Sequence, residues 1–134
     1  MANSCITKYQ LICKNEASAR SLEQFLKDVT DSAQCLAETC ELAGVAEKDL
    51  EWISLRGWIE NVERDEIVVT FVTDTDWQPT WFAVRLILEQ HLGKNLHEKL
   101  DDLWFDVSEP GWEIYLYGSI KDKAKLEELE EISS

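Results

Sequence analysis

The side chains best suited to chemistry in this sequence are one arginine, one glutamate and several large aromatics near predicted strands and turns. They are Arg56, Trp58, Trp77, Trp81, Glu109, Trp112, Tyr115 and Tyr117. Arg56 is the one base in a run of mostly apolar strand residues, so it either pairs with an acid or reaches into a cleft. Glu109, at a predicted hairpin turn, is a candidate partner. The alternative is that the aromatics form the core and Arg56 makes a structural ion pair.

Motifs with a defined catalytic chemistry are missing from the sequence. The five glycines are isolated, so none forms a phosphate-binding loop, and neither G-x-S-x-G nor H-E-x-x-H occurs. His91 lies late in an apolar helical stretch and His97 in a polar one, without an obvious relay partner. Asp74-x-Asp76 lacks the glycine and distal glutamate of a calcium loop, and we expect it to cap the following helix. We therefore predict no metal site and no cofactor, and assign no catalytic residue.

Four cysteines, at positions 5, 13, 35 and 40, are best explained as free thiols. Their spacing contains no C-x-x-C pair, and the two histidines do not complete a zinc pattern. The first five residues lack the basic and apolar regions of a signal peptide. We expect a cytoplasmic protein in which the thiols pack as small apolar groups. Cys35 and Cys40 are predicted to lie inside a helix, away from a helix N-terminus that would favour a thiolate.

The composition is that of one globular domain with a large excess of acids. Of the 134 residues, 45% are hydrophobic and 30% are charged, which is enough for one core without disulfides. There are 27 acids against 13 bases, a net charge of −14. This balance argues against direct nucleic-acid binding, which depends on phosphate neutralisation by lysine and arginine, and against an anionic membrane surface. An acidic surface could instead solubilise the chain, recruit a basic protein or imitate nucleic acid.

Residue periodicity predicts five strands and three well-marked helical stretches. The strands are expected at residues 6–13, 52–60, 67–72, 103–107 and 113–117. Helical stretches are expected from an Asn15 cap to Val29, then up to Gly44, and between Pro79 and Gly93. A thin apolar stripe over residues 121–134 predicts either a docked helix or a frayed tail.

Turn chemistry and burial patterns refine the predicted sheet. A bulge is expected at Gly57, a charged turn at residues 61–66, and a tight turn at residues 108–111 in which Gly111 adopts a positive φ. The strand at 67–72 is apolar on both faces, which predicts a central position.

The order of these elements indicates an α+β domain. A strand, a two-piece helix, two strands, a helix and two strands follow the split βαβ plan of the ferredoxin-like fold, with an additional C-terminal β-hairpin strand and a weak C-terminal helix. We predict a single ferredoxin-like α+β domain over residues 1–120 and an acidic C-terminal helix or tail over residues 121–134.

Three short motifs in this order resemble a group of small uncharacterised bacterial proteins. They are Leu55-Arg56-Gly57-Trp58-Ile59-Glu60, Thr73-Asp74-Thr75-Asp76-Trp77-Gln78-Pro79, and Ser108-Glu109-Pro110-Gly111 with Glu113-Ile114-Tyr115. The group resembles the YubB-type ferredoxin-like domain of plasmid, phage and gut-bacterial genomes, over residues 50–118 of this chain. The resemblance implies a ferredoxin-like fold and an intracellular protein often carried on mobile DNA. It implies no reaction, because the family has no established activity or catalytic residues.

Three functions remain open from the sequence. The leading one is a non-enzymatic interaction or regulatory module that holds a protein partner through an aromatic-rich face or an acidic surface. The second is an acidic inhibitor from a mobile element that mimics nucleic acid. The third is a small-molecule binder or enzyme with a pocket near Arg56, Trp77 and Glu109, formed where loop 74–79 and turn 108–111 meet at one end of the sheet.

Overall fold

Five strands form one antiparallel sheet in the computed structural model, which describes residues 3–134. The strands are β1 (Ser4–Ile12), β2 (Gly57–Asp65), β3 (Val68–Asp76), β4 (Asp102–Glu109) and β5 (Ile114–Ser119), in the spatial order β2-β3-β1-β4-β5. The helices are α1 (Glu16–Thr30), α2 (Leu36–Ala43), α3 (Trp81–Leu92), the one-turn α4 (Leu96–Lys99) and α5 (Lys123–Ile132). Within this part of the chain, none of the helices combines the length and the apolar character needed to cross a membrane. The domain is therefore α+β, as the element order predicts.

The helices cover one face of the sheet and leave the other uncovered. Along β1, Cys5, Thr7, Tyr9 and Leu11 are fully buried, whereas the alternate residues Lys8 and Gln10 are exposed. The strand registers place Phe71 of β3 and Phe105 of β4 beside Tyr9, so the same side of all three strands enters the core. Leu22 and Leu26 of α1 and Ile87 and Leu88 of α3 pack on this side of the sheet and complete the core. We call the uncovered side of the sheet the open face.

Several helix ends agree with the predictions, but α2 begins only at Leu36, after the break and cap expected at residues 30–32. Asn15 caps α1, because its side-chain oxygen accepts a hydrogen bond of 2.8 Å from the backbone N–H of Ser18. The buried stripe of this helix contains Leu22 and Leu26. Helix α2 ends before Gly44 and α3 before Gly93.

The second strand begins later than predicted. Residues 52–56 form a turn and a loop, and β2 starts at Gly57 and continues to Asp65 through the predicted charged turn. The backbone at Gly57 has φ 112°, and a Cβ atom there would lie 2.1 Å from the carbonyl oxygen of Asp74. Any larger residue would therefore collide with β3. The predicted bulge at Gly57 is wrong, since the register shift lies between Glu60 and Glu63.

The turn between β4 and β5 also differs in detail from the prediction. Strand β4 includes Glu109, and the turn is closed by a 3.2 Å hydrogen bond from the Glu113 N–H to the Pro110 carbonyl. The positive φ falls on Glu113, at 54°, and not on Gly111. A Cβ atom at Gly111 would overlap the Asn3 side chain, so a larger residue there would displace that side chain.

The C-terminal stripe forms a helix that packs against the sheet. Asp122 caps α5 by accepting a hydrogen bond from the Lys125 N–H. Leu129 is fully buried in the core, and the Lys125 side chain lies over Gly118 of β5. Of the two alternatives predicted for residues 121–134, the structure has the docked helix.

Truncation of the buried leucine of α5 tests this docking. We expect Leu129→Ala to lower the free energy of unfolding by about 2–5 kcal/mol, since it leaves a cavity in the core. The matched control Leu42→Ala removes a half-exposed leucine of α2 and should change stability by less than about 0.5–1 kcal/mol. Urea unfolding followed by circular dichroism measures both. Equal effects would show that α5 is not packed as described.

Candidate functional site

The strand registers arrange the side chains of the open face in rows across the sheet. One row is Trp58, Asp74, Ile6, Ser108 and Tyr115. The next is Glu60, Val72, Lys8, Asp106 and Tyr117, and the third is Glu63, Thr70, Gln10, Trp104 and Ser119. Aromatic rings therefore occupy both edges of a face whose middle is aliphatic and polar.

A stacked aromatic pair lies at the β4–β5 edge of the open face. The rings of Trp104 and Tyr117 have centroids 5.4 Å apart and an interplanar angle of 24°. Their positions are diagonal neighbours in the antiparallel ladder, which is within reach of aromatic side chains. Tyr117 is 60% exposed and Tyr115, two residues earlier on the same face, is 66% exposed. At the opposite edge, the indole N–H of Trp58 donates a 2.8 Å hydrogen bond to Glu60.

The open face is concave between the bulge of β2 and the stacked pair. A depression of about 550 Å³ lies there, and Lys8, Gln10, Glu63 and Asp106 contribute to its walls. The bulge places extra backbone in β2 after Glu60, and such a bulge bends its strand and increases the local twist. The open face therefore provides an extended concave surface for contact with a partner.

Acidic side chains dominate the open face. They are Glu60, Glu63, Asp65, Asp74, Asp76, Asp102 and Asp106. Among the strand residues that the structure describes, Lys8 is the one base on this face. Carboxylates in neighbouring rows repel one another, so this surface favours a cationic partner.

Two tryptophans meet at one end of the sheet. The rings of Trp77, after β3, and Trp112, after β4, have centroids 6.0 Å apart. The Trp77 N–H donates a 2.9 Å hydrogen bond to the carbonyl of Asn3, which also adjoins Gly111. The two predicted segments thus come together, although residues 74–76 belong to β3 and residues 108–109 to β4.

Arg56 and Glu109, in contrast, are not partners. The Arg56 guanidinium lies 3.8 Å from the carboxylate of Asp76. Glu109 is fully buried on the helix-covered side, where its two oxygens accept hydrogen bonds of 2.9 Å from the Gly111 N–H and 2.6 Å from the Trp112 N–H. The predicted pairing is wrong because the two side chains occupy opposite faces of the sheet.

Two further sequence predictions are corrected by the structure. Asp76 pairs with Arg56 and does not cap α3, whose cap residue Thr80 makes no side-chain capping hydrogen bond. Trp81 is only 2% exposed and stacks on Tyr9 at 6.1 Å, so it belongs to the core and not to an accessible binding surface.

The most important open-face residue missed by the sequence reasoning is Trp104. A signal was present, because Leu103, Phe105 and Val107 alternate with Trp104 and Asp106 and only the first set is buried. Strict alternation places Trp104 on the same face as the acidic residue. The run Leu103-Trp104-Phe105 obscures this alternation, since all three residues are apolar.

His91 of α3 packs against α1, away from the open face. Within residues 3–134, no three His, Cys, Asp or Glu side chains are arranged to hold a metal ion. His91 lies 3.1 Å from the Ser21 hydroxyl and stacks on Phe25, and burial lowers the pKa of this histidine. The imidazole therefore packs between α1 and α3, and its burial favours the neutral form. The open face offers stacking and carboxylates, which are means of binding.

The chain was also compared with known proteins. No protein-family model, no curated protein and no solved structure matches it. The candidate site therefore depends on the geometry of this chain alone.

Replacement of the buried glutamate tests whether it is structural. Glu109→Gln keeps one acceptor oxygen but turns an amide NH₂ toward a backbone N–H, so we expect a loss of about 1–3 kcal/mol in the free energy of unfolding. The control Glu113→Gln changes an exposed residue of the same turn. Urea unfolding measures both variants. Equal losses in their free energy of unfolding would contradict a structural role for Glu109.

The cysteines should differ sharply in reactivity. Burial raises the pKa of Cys5, Cys13 and Cys40 to about 11. Cys35 is half-buried at the N-cap of α2, not inside a helix as predicted. We expect Ellman's reagent to modify Cys35 rapidly in the native protein and the other three thiols only after unfolding, since thiolate and access are both required. Cys35→Ser should abolish the rapid phase; its persistence would refute this assignment.

Proposed function

We propose that the chain is a non-enzymatic interaction module whose open face binds a lysine- and arginine-rich segment of a partner protein. The observation that carries this proposal is the stacked Trp104–Tyr117 pair, which lies among carboxylates on a face that the helices leave uncovered. Exposed aromatic patches rimmed by polar residues are typical of interaction sites. Because the open face carries mostly carboxylates, the partner segment is expected to be cationic.

Aromatic rings and carboxylates together recognise cationic side chains. A guanidinium or ammonium group over the face of Trp104 or Tyr117 gains a cation–π attraction, and Asp106 lies in the same row as Tyr117 to pair with the charge. Arginine stacks on aromatic rings and binds carboxylates with two parallel hydrogen bonds. Neighbouring strands lie about 4.8 Å apart, so aromatic rings and carboxylates on successive strands can contact successive cationic side chains of the partner.

A labelled arginine-rich peptide provides the test. Removing one cation–π contact costs about 0.5–2 kcal/mol, so Tyr117→Ala should weaken binding by about 2- to 30-fold, and Asp106→Asn should weaken it and reduce its salt dependence. Fluorescence anisotropy titrations at two salt concentrations measure both effects.

Matched variants elsewhere distinguish this surface from general charge attraction. Trp112→Ala removes an exposed aromatic away from the strand rows, and Glu127→Gln removes an exposed acid of α5. Both should bind the peptide as the unmodified chain does. If they lose as much affinity as Tyr117→Ala and Asp106→Asn, the open face is not the binding site.

The acidic rows also support a second candidate function, the mimicry of nucleic acid toward a protein that binds it. The observation in its favour is the recurrence of carboxylates in adjacent rows with aromatic rings between them, which combines the charge of phosphates with base-like stacking surfaces. In this case a DNA or RNA oligonucleotide should compete for the partner recovered from a host lysate. A partner that binds the open face without competition would exclude mimicry.

We also propose the ferredoxin-like assignment and the kinship with YubB-type proteins of mobile elements. The order β2-β3-β1-β4, with helical connections from β1 to β2 and from β3 to β4, supports a split βαβ plan to which β5 adds a hairpin strand. The kinship would make the protein bacterial and cytoplasmic. A small-molecule pocket near Arg56, Trp77 and Glu109 has less support, because both Glu109 oxygens already accept hydrogen bonds.

A further inference from the structure

A cleft on the helix-covered side of the molecule offers apolar side chains and one arginine, whereas the open face offers mainly carboxylates and aromatic rings. It lies between residues 49–53, the first two turns of α3 and residues 133–134, and its volume is about 390 Å³. Small-molecule sites commonly measure about 300–1,000 Å³. The cleft is therefore large enough for a small ligand.

Apolar side chains form most of the cleft wall. They are Trp52, Ile53, Phe82 and Leu86. Trp52 is 91% exposed, although it is one of the largest apolar side chains in the chain. An aliphatic or aromatic body in the cleft would remove part of this ring from water, and each buried methylene is worth about 0.8 kcal/mol.

Arg85 lines the same cleft and lacks the partner that the other arginines have. Its Nε–H is buried and has no hydrogen-bond partner among the described residues, and its guanidinium carbon lies 5.5 Å from the ring centroid of Phe82. Arg20, Arg56 and Arg64 each lie near a carboxylate, at 2.7 Å, 3.8 Å and 3.0 Å. The acids that line cavities together with Arg85 are Asp49, Glu89 and Glu130, and none of them makes an ion pair with it.

A second unpartnered polar group lines the same cleft as the arginine. Ser133 is 9% exposed, lines the cleft, and its hydroxyl has no hydrogen-bond partner in the part of the chain that the structure describes. A buried donor left without a partner costs about 1–3 kcal/mol. A carboxylate bound in the cleft would offer acceptor oxygens to both groups after a small movement of their side chains, since neither atom is exposed to the cleft in this structure.

We propose that this cleft binds a small amphipathic carboxylate, with its apolar body against Trp52 and Phe82 and its carboxylate on Arg85 and Ser133. Planar guanidinium and carboxylate groups match in a two-bond geometry. In a chain of net charge −14, anions are repelled by the rest of the surface, so binding depends on this arginine. The site is separate from the open face and does not rest on the function proposed for it.

The test uses 4-phenylbutyrate and its uncharged amide as probes. Isothermal titration calorimetry should detect the carboxylate and find the amide at least about 10-fold weaker, since a hydrogen bond to a charged group is worth about 1.5–3 kcal/mol. In ¹⁵N-labelled protein, the Nε–H resonance that is missing from Arg85→Lys should shift on titration. Equal binding of acid and amide, or no binding of either, would overturn the proposal.

Variants separate the cleft from other places on the molecule. Arg85→Gln should weaken 4-phenylbutyrate binding by about 10- to 100-fold, and Trp52→Ala should weaken it through lost apolar contact. Arg20→Gln is the control, since it removes an arginine of an exposed ion pair on α1. Arg85→Lys keeps the charge and should retain part of the affinity, which distinguishes recognition from a folding defect. If Arg20→Gln reduces binding as much as Arg85→Gln, the carboxylate binds elsewhere.

Discussion

Strand β1 hydrogen-bonds to β3 on one side and to β4 on the other, and its alternation determines which residues the protein buries. Because Tyr9 lies beside both Phe71 and Phe105, three rings form the centre of the core under α1 and α3. The next residue in each strand necessarily points the other way. The same pairing that builds the core therefore gathers Lys8, Val72 and Asp106 into a row on the open face. A shift of β1 by one residue would exchange the two faces.

An uncovered sheet with exposed aromatics carries a risk of association with other sheets. The carboxylates of Glu60, Glu63 and Asp106 counter this risk, because two copies of the open face would bring like charges together. The same charges attract a basic segment. Solubility and partner selection are thus two consequences of one charge pattern, and substitutions that neutralise the acids should affect both.

Local signals in the sequence predict local structure well. The Asn15 cap and the glycines after α2 and α3 mark helix ends, because these positions depend on neighbouring backbone groups alone. The start of β2 was not predictable in the same way. Residues 52–56 alternate like a strand, and the position of Gly57 against the backbone of β3 depends on the packing of two distant segments.

The candidate sites show the same division between local and long-range information. Aromatic composition and net charge predict an aromatic, acidic surface, but the partner of Arg56 depends on strand register. Gly57 pairs with Thr75, so the residues just outside that pair, Arg56 and Asp76, fall on one face, while Glu109 falls on the other. Sequence spacing does not identify the partner of Arg56, because several acids lie at a suitable distance along the chain.

Arg85 shows how an excess of acids can still leave a cation without a partner. In a chain with 27 acids, pairing at the surface contributes only about 0–1 kcal/mol, since exposed carboxylates remain hydrated. An ion pair between Asp49 and Arg85 would therefore contribute little, because Asp49 would lose its hydration. The Nε–H of Arg85, in contrast, is already removed from water, so a hydrogen bond to this atom adds no further desolvation of it, whereas the partner and the terminal N–H groups of the guanidinium still lose water. An apolar body lowers that cost by contacting Trp52 and Phe82, which is why an amphipathic carboxylate fits this position better than an inorganic anion.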